Sequence, residues 1–231
     1  MNKVIIHNLI ISISGAPKTG KTHLSLSLPA PILIYSFDLG AEVVVRKFPD
    51  KKIDIRQYTM PITTTASPSI EEAKLCKEFE KDYKKTIWSG EYKTIVLDPA
   101  TFVWELIWHT YQIDQGDEKL IARKYTEPNA RMSAINNEPK LSGVNLVLIH
   151  YMKEAYVGDK PTGEMKLDGF KRTEGLVDLV LRTRKEVRAK GGEKKNVIIT
   201  TIQDNRFDLD MSGQEIPNAT YDDIVAVLGL G

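Results

Sequence analysis

Cysteine is nearly absent from this sequence, since Cys76 is the only one among 231 residues. A lone cysteine excludes an internal disulfide framework and fits a reducing compartment. Net charge is also nearly absent, because the formal charge at pH 7 is +1. The chain as a whole therefore has no electrostatic preference for nucleic acid or membranes, and any basic surface must be local.

Long hydrophobic runs are missing as well. No apolar stretch approaches the length needed to span a bilayer, and the one in residues 1–8 is too short for the hydrophobic region of a secretory signal. We therefore expect a cytoplasmic protein that does not enter a membrane. His7, His23 and His109 show no metal-ligand spacing, so we expect no zinc site. The 42% hydrophobic content and the length fit one domain, residues 1–231.

Residues 15–22 match the phosphate-binding loop G-x-x-x-x-G-K-[ST] at every fixed position. An apolar strand-like run precedes them, and a helix is predicted over residues 23–28. The backbone N–H groups of such a loop bind phosphate oxygens. Lys21 would neutralise the β- and γ-phosphates, and the Thr22 hydroxyl would bind Mg²⁺. The candidate nucleotide-binding residues are Gly15, Ala16, Pro17, Lys18, Thr19, Gly20, Lys21, Thr22 and His23.

Apolar runs alternate with amphipathic or polar segments, a pattern that predicts an α/β fold with a mainly parallel sheet and helices on both faces. Ser69 and Glu72 form a capping box that begins a helix over residues 69–88. Residues 152–175 are rich in glycine and lysine and predict a long mobile loop. Further predicted elements are strands over residues 32–37, 94–97 and 144–150, helices near 130–141 and 220–228, and a C-terminal β-hairpin of 177–187 with 196–202 that turns at Gly191-Gly192.

Carboxylates follow two of the predicted strands. Asp98 ends an apolar strand and could hold the Mg²⁺ shell, as a Walker B residue does, although it could instead cap the next helix. Asp38 follows the strand after the loop, at the edge where ligands bind in open α/β sheets, and could orient a water molecule against the γ-phosphate. A turn aspartate is the alternative there, and Glu42 is the second candidate for the base.

Two further features are less specific. His150 ends a strand and could sense the nucleotide state, or simply be a rim residue. Basic residues concentrate over residues 160–195, where Lys166, Lys171 and Arg172 could bind a phosphate backbone and Phe170 could stack on a base. A solvated charged face is the alternative.

Taken in order, the loop, the strand ends at Asp38, Asp98 and His150, and the C-terminal residues resemble the core of RecA-like P-loop ATPases. The closest resemblance is to the phage-encoded Sak-type recombinases of the AAA/RecA type, which share the C-terminal pattern seen here as Asn205-Arg206-Phe207, Gly213 and Thr220-Tyr221-Asp222-Asp223. The resemblance implies ATP and Mg²⁺ as cofactors, ATP hydrolysis coupled to single-stranded DNA binding and annealing, and homo-oligomeric rings or filaments in a phage or prokaryotic cytosol. It places Arg206 where related motors carry an arginine finger.

Two other functions stay open at this point. A P-loop nucleoside or nucleotide kinase has a similar length and the same loop, but it would need an arginine-bearing lid, and residues 152–175 contain only Arg172. A non-hydrolysing nucleotide-binding module would result if neither Asp38 nor Glu42 acts as a base.

Overall fold

An eight-stranded sheet forms the centre of the protein. The computed structural model describes residues 8–61, 68–115, 125–190 and 193–230. The strand order in the large sheet is β10-β9-β8-β1-β5-β4-β2-β3, and β6 pairs with β7 in a separate two-stranded sheet. The strands are β1 (Ile10–Gly15), β2 (Ile32–Ser36), β3 (Ile53–Gln57), β4 (Thr94–Asp98), β5 (Asn145–His150), β6 (Met152–Val157), β7 (Lys160–Leu167), β8 (Leu179–Lys190), β9 (Glu193–Asn205) and β10 (Glu215–Pro217).

The six strands from β8 to β3 run parallel, and β9 and β10 continue the sheet in antiparallel pairs. Because Ser36 pairs with Asp98 and Ser14 pairs with His150, the parallel strands end at one edge, which we call the carboxyl edge. The predicted α/β fold with a mainly parallel sheet and a C-terminal hairpin is confirmed.

Helices cover both faces of the sheet. Side chains alternate along β1, so Ile10 packs on one face while Ile11 and Ile13 pack on the other. Helices α3, α4 and α5 contribute to the Ile10 side, and α1, α2 and α7 contribute to the Ile11 side. Among the described residues, no helix is long and apolar enough to cross a membrane. The helices are α1 (Lys21–Ser25), α2 (Ala41–Val45), α3 (Ile70–Ile87), α4 (Ala100–Gln115), α5 (Thr126–Ser142), α6 (Thr173–Leu176) and α7 (Tyr221–Val227).

The sequence predicts the first residue of a helix most accurately where a capping box is present. Ser69 Oγ accepts from the Glu72 backbone N–H at 3.2 Å, and Glu72 accepts from the Ser69 N–H at 2.8 Å, so the predicted capping box begins α3. Thr220 and Asp223 form the same motif at α7. The predictions for α1 and α5 are shifted, because α1 begins two residues earlier inside the phosphate loop and α5 begins at Thr126.

The loop predicted over residues 152–175 is wrong. That segment forms the β6–β7 hairpin followed by the short helix α6. Gly158 has φ +61° at the turn, and Val157 pairs with Lys160 across it. Most side chains of this hairpin are exposed, so its sequence contains no apolar alternation from which the strands could be predicted.

The β8–β9 hairpin is longer than the sequence pattern predicts. Its strands project past the end of β1, because Thr183 already pairs with Gly15, the last residue of β1. The predicted turn at Gly191-Gly192 lies outside the described residues. The hairpin therefore stands at the carboxyl edge, next to residues 15–22.

Candidate nucleotide-binding site

The loop of residues 15–22 connects β1 to α1 and is fixed to the neighbouring strand β8. Thr19 Oγ1 lies 2.7 Å from Thr183 Oγ1 and donates to the Ala16 carbonyl at 2.7 Å. A Cβ on Gly15 would lie 2.4 Å from the Thr183 carbonyl oxygen, so no larger residue fits there. Gly20 has φ +82°, a conformation that glycine adopts without strain. The glycines of the motif are therefore required by close packing and by backbone shape.

Lys21 points back into this loop. Its Nζ donates to the carbonyl oxygens of Gly15 and Ala16, both at 2.9 Å, and its side chain is buried. Burial lowers the pKa of Lys21, while the nearby carboxylates of Asp98 and Asp38 oppose that shift. The ammonium is thus held at the centre of the loop, where it can meet phosphate oxygens.

Thr22 and Asp98 join the loop to β4. The Thr22 hydroxyl donates to Asp98 Oδ2 at 2.7 Å, although β5 separates β4 from β1 in the sheet. Burial raises the pKa of Asp98 to about 6, the neighbouring carboxylates of Asp38 and Glu42 add to the rise, and the Thr22 hydrogen bond opposes it. The carboxylate is directed at the phosphate loop, so its side chain has the position of a Walker B residue.

These two oxygens fit a magnesium ion. Mg²⁺ prefers oxygen ligands and in nucleotide sites takes one or two protein groups together with phosphates and water. Thr22 Oγ1 and Asp98 Oδ2 would supply the protein side of that shell, and the loop beside Lys21 would be the cradle for the phosphates.

Asp38 lies at the same edge, after β2. Its Oδ1 accepts from the Gly40 N–H at 3.0 Å, and its Oδ2 accepts from the Tyr151 hydroxyl at 2.8 Å. The first bond is the turn role that the sequence left open, and the second joins Asp38 to the residue directly after β5. Since β4 lies between β2 and β5, this bond spans the end of the strand that carries Asp98.

The comparison with protein families agrees with this geometry. The family model described as AAA domain matches residues 7–207. The chain belongs to the AAA domain family. Among curated proteins, the sequence has no significant match. An AAA domain is a nucleotide-binding P-loop ATPase domain, and residues 15–22, which match the phosphate-binding motif, lie within the matched range.

Tyr151 is the residue of this AAA domain that sequence reasoning missed. Its ring packs edge-on against Phe102, with 5.6 Å between centroids, which directs the hydroxyl to Asp38. Burial raises the pKa of Tyr151, and the hydrogen bond to Asp38 adds to that rise, so the hydroxyl keeps its proton. The signal that could have found it is its position directly after a strand end, the criterion that selected His150.

His150 itself does not face the site. Its ring is fully buried, and a Cβ on Gly169 would lie 3.3 Å from its Nδ1. The alternation along β5 places His150 on the face of Leu146 and Leu148, whereas α1 packs on the opposite face. The structure corrects the expectation of an imidazole beside the γ-phosphate, because a buried ring has no access to the ligand.

Glu42 and His23 lie to either side of the phosphate loop. Glu42 Oε1 accepts from Gln57 Nε2 at 3.0 Å, and this bond occupies one of its two carboxylate oxygens. The ring of His23 lies 4.8 Å from that of Phe48, and its partial burial together with Lys47 lowers the pKa of His23. Asp38 is therefore the better placed of the two candidate bases.

The nucleic-acid candidates divide into two groups. Lys166, Lys171 and Arg172 are exposed, as a DNA contact requires. Phe170 is 1% exposed and packs against Trp104, with 5.1 Å between centroids. The prediction that Phe170 stacks on a base is corrected, because that ring belongs to the core under α4.

Arg206 lies at the other end of the sheet. Its Nη2 donates to the Gly175 carbonyl at 2.6 Å, and its Nη1 lies 3.9 Å from Asp178. Asp178 Oδ2 accepts from the N–H of Ile10, the first residue of β1, whereas the phosphate loop begins at the last. Arg206 is therefore remote from the nucleotide site of its own chain.

The C-terminal pattern that carries the family resemblance has local structural roles. Asn205 Oδ1 accepts from the N–H groups of Phe207 and Asp208 and so closes a turn. Gly213 has φ +89°, and its N–H donates to the Ile202 carbonyl. These residues shape the end of the fold and do not reach the phosphate loop.

The buried imidazole of His150 makes folding stability depend on pH. Burial lowers its pKa to about 4, with Asp168 opposing the shift. Between that value and an unfolded pKa of about 6.5, the unfolded chain binds the proton and the folded chain does not, so folding stability falls as pH falls. We expect His150 to account for about 2 kcal/mol of the stability lost between pH 7 and pH 5.

Urea unfolding at the two pH values measures this. His150→Phe and His150→Gln both remove the titrating group, so both should lose about 2 kcal/mol less than the wild type on acidification, whatever their stability at pH 7. An equal loss in all three proteins would show that the buried imidazole is not the acid-sensitive group.

Proposed function

We propose that this AAA domain binds Mg²⁺-ATP and hydrolyses its γ-phosphate as RecA-like ATPases do. The contact of Thr22 Oγ1 with Asp98 Oδ2 at 2.7 Å is the observation that carries the proposal, because it brings the metal-binding pair to the loop that encloses Lys21. The carboxylate of Asp38 at the same edge supplies a base.

Each residue has a defined task in this proposal. Lys21 exchanges its bonds to the loop carbonyls for phosphate oxygens and offsets their negative charge. Asp38 accepts a proton from the attacking water, and Tyr151 fixes the direction of that carboxylate through Oδ2. When bound, Mg²⁺ neutralises charge on the phosphates. Thr22 and Asp98 would hold it.

We also propose that ATP use is coupled to single-stranded DNA binding, and the charge distribution favours the β8–β9 hairpin as the contact. Between residues 179 and 205 the sequence has seven lysines and arginines against three carboxylates, whereas residues 152–168 have three lysines against four carboxylates. The β8–β9 hairpin also projects at the edge that holds the phosphate loop. A strand of DNA there would lie close to the nucleotide.

An oligomer is the third part of the proposal. Arg206 is too far from the phosphate loop of its own chain to act there, and its side chain is half exposed at the opposite end of the sheet. A neighbouring subunit that turned its carboxyl edge to this end would receive Arg206 as a finger. Annealing and phage-type recombination are the processes that the resemblance suggests for such an assembly.

The ATPase prediction separates binding from chemistry. Lys21→Ala should lose ATP binding, Asp38→Asn should bind ATP with kcat lowered about 100-fold or more, and Tyr151→Phe should show a smaller fall in kcat. Turnover is measured as phosphate release with and without single-stranded DNA and with nucleoside acceptors. Tyr156→Phe is the matched control for Tyr151→Phe, because the Tyr156 ring is exposed on β6.

Three results would contradict this scheme. Phosphate transfer to a nucleoside would indicate a kinase, binding without turnover would indicate a nucleotide-binding module, and unchanged turnover in Asp38→Asn would exclude Asp38 as the base.

The DNA prediction compares the β8–β9 hairpin with the segment that holds Lys166 and Lys171. Arg188→Ala/Lys194→Ala should weaken binding of a single-stranded oligonucleotide and make the slope of log K against log salt shallower by roughly 1.4, because about 0.7 is lost for each phosphate contact. Lys166→Ala/Lys171→Ala is the matched double variant and should keep the wild-type slope. The opposite pattern would move the contact to the segment after β5, and wild-type affinity no better than that of a neutral protein would exclude DNA binding.

The shared-site prediction concerns Arg206. Arg206→Ala should lower kcat by about 10³-fold or more, and Arg206→Lys should recover little, because a finger needs the guanidinium. Mixing Arg206→Ala with Lys21→Ala should restore part of the activity, since each variant supplies what the other lacks. Full activity of Arg206→Ala at every protein concentration would refute a shared site, and thermal melts control for the lost bond to Gly175.

A further inference from the structure

A buried threonine hydroxyl connects α4 to the β6–β7 hairpin. Thr101 lies in the first turn of α4 and is 1% exposed. Its Oγ1 donates to the Asp168 carbonyl at 2.8 Å and accepts from the Tyr151 N–H at 3.1 Å. Tyr151 directly precedes β6 and Asp168 directly follows β7. One hydroxyl therefore bridges the helix to both ends of the hairpin.

The two bonded backbone groups belong to one small network. The Asp168 N–H donates to the Tyr151 carbonyl at 2.9 Å, so the two residues are also bonded directly to each other. A buried backbone N–H or carbonyl that loses its partner is costly, and the chain around it shifts to find another one. The position of the Tyr151 backbone therefore depends on the Thr101 hydroxyl.

The side chain of Tyr151 carries this dependence to the nucleotide site. Its ring packs edge-on against Phe102, the residue after Thr101, and its hydroxyl donates to Asp38 Oδ2 at 2.8 Å. Because an aromatic ring is rigid, a displacement of the Tyr151 backbone also displaces the hydroxyl at its far end. The first turn of α4 thus holds both the backbone and the ring of the residue that directs Asp38.

The same segment carries the proposed metal ligand. Asp98 ends β4, and α4 begins two residues later at Ala100. Asp98 and Thr101 are therefore fixed relative to each other by one short piece of chain. A reacting group that is misplaced by about 1 Å can lose roughly 100-fold in rate, so a common support for the metal ligand and the base has a direct use in catalysis.

We propose that Thr101 is a positioning residue for ATP hydrolysis. Its hydroxyl fixes the Tyr151 backbone, and the Tyr151 hydroxyl in turn holds the Asp38 carboxylate in the direction of the attacking water. Thr101 does not touch the nucleotide, because its hydroxyl is buried and bonded to two backbone groups. The inference rests on the proposed function, with Asp38 as the base.

A double-mutant cycle of Thr101→Val and Tyr151→Phe tests this order of action. Thr101→Val keeps the shape of the side chain without the hydroxyl, and it should lower kcat roughly tenfold while KM for ATP stays within about twofold of wild type. In the Tyr151→Phe background the same change should lower kcat by less than about twofold, because no hydroxyl remains to be positioned. Turnover is measured as phosphate release at saturating Mg²⁺-ATP.

Two further variants separate positioning from a general effect on the fold. Thr101→Ser keeps the hydroxyl and should keep kcat close to that of the wild type. Thr110→Val is the matched control and should also keep kcat, because Thr110 is equally buried on α4 and donates to the Leu106 carbonyl of its own helix at 2.7 Å. If Thr101→Val does not fold, Thr101→Cys takes its place in the cycle, since a thiol is a weak hydrogen-bonding group.

The results that would overturn the inference differ from those that would refute the proposed function. Unchanged kcat in Thr101→Val, or an equal fall in kcat in both backgrounds, would overturn the positioning role and leave ATP hydrolysis intact. An equal fall in Thr110→Val would overturn it as well. Absence of turnover in the wild type, or unchanged turnover in Asp38→Asn, would refute the proposed function itself.

Discussion

The hydrogen bond from Thr22 to Asp98 is the contact on which the site depends. It joins two strands that are not neighbours, because β5 lies between β1 and β4. The loop must therefore extend over the end of β5, and it does so while fixed to β8 on its other side through Thr19 and Thr183. Anchors on both sides fix the loop, and the Lys21 ammonium donates to its carbonyl oxygens.

The parallel arrangement of the strands is the reason that this contact could be predicted from the sequence. Strands that run in one direction place their last residues at one edge, so an aspartate at a strand end can be expected near the loop without knowing the strand order. Asp98 and Asp38 were predicted on this basis, and both lie at that edge. The capping boxes at Ser69 and Thr220 were equally predictable, because their bonds are local.

The direction of a side chain at a strand end was not predictable in the same way. Both faces of this sheet are covered, so apolar residues occupy every position of β5 between Asn145 and His150, and no alternation shows which face His150 takes. Tertiary packing places the histidine under Gly169 and leaves Tyr151 at the site. The β6–β7 strands were missed for the opposite reason, since they are too exposed to have an apolar pattern.

Carboxylates are concentrated on one side of the phosphate loop. Asp38 and Glu42 lie close enough to Asp98 to raise its pKa. By contrast, the residues that line a cavity of about 300 Å³ against Lys18, Gly20 and His23 include no carboxylate. A bound cation is favoured where carboxylates crowd, because it offsets their mutual repulsion and opposes the rise that burial causes in the pKa of Asp98. The magnesium ion of the proposed nucleotide complex would therefore be attracted to the Asp98 side of the loop.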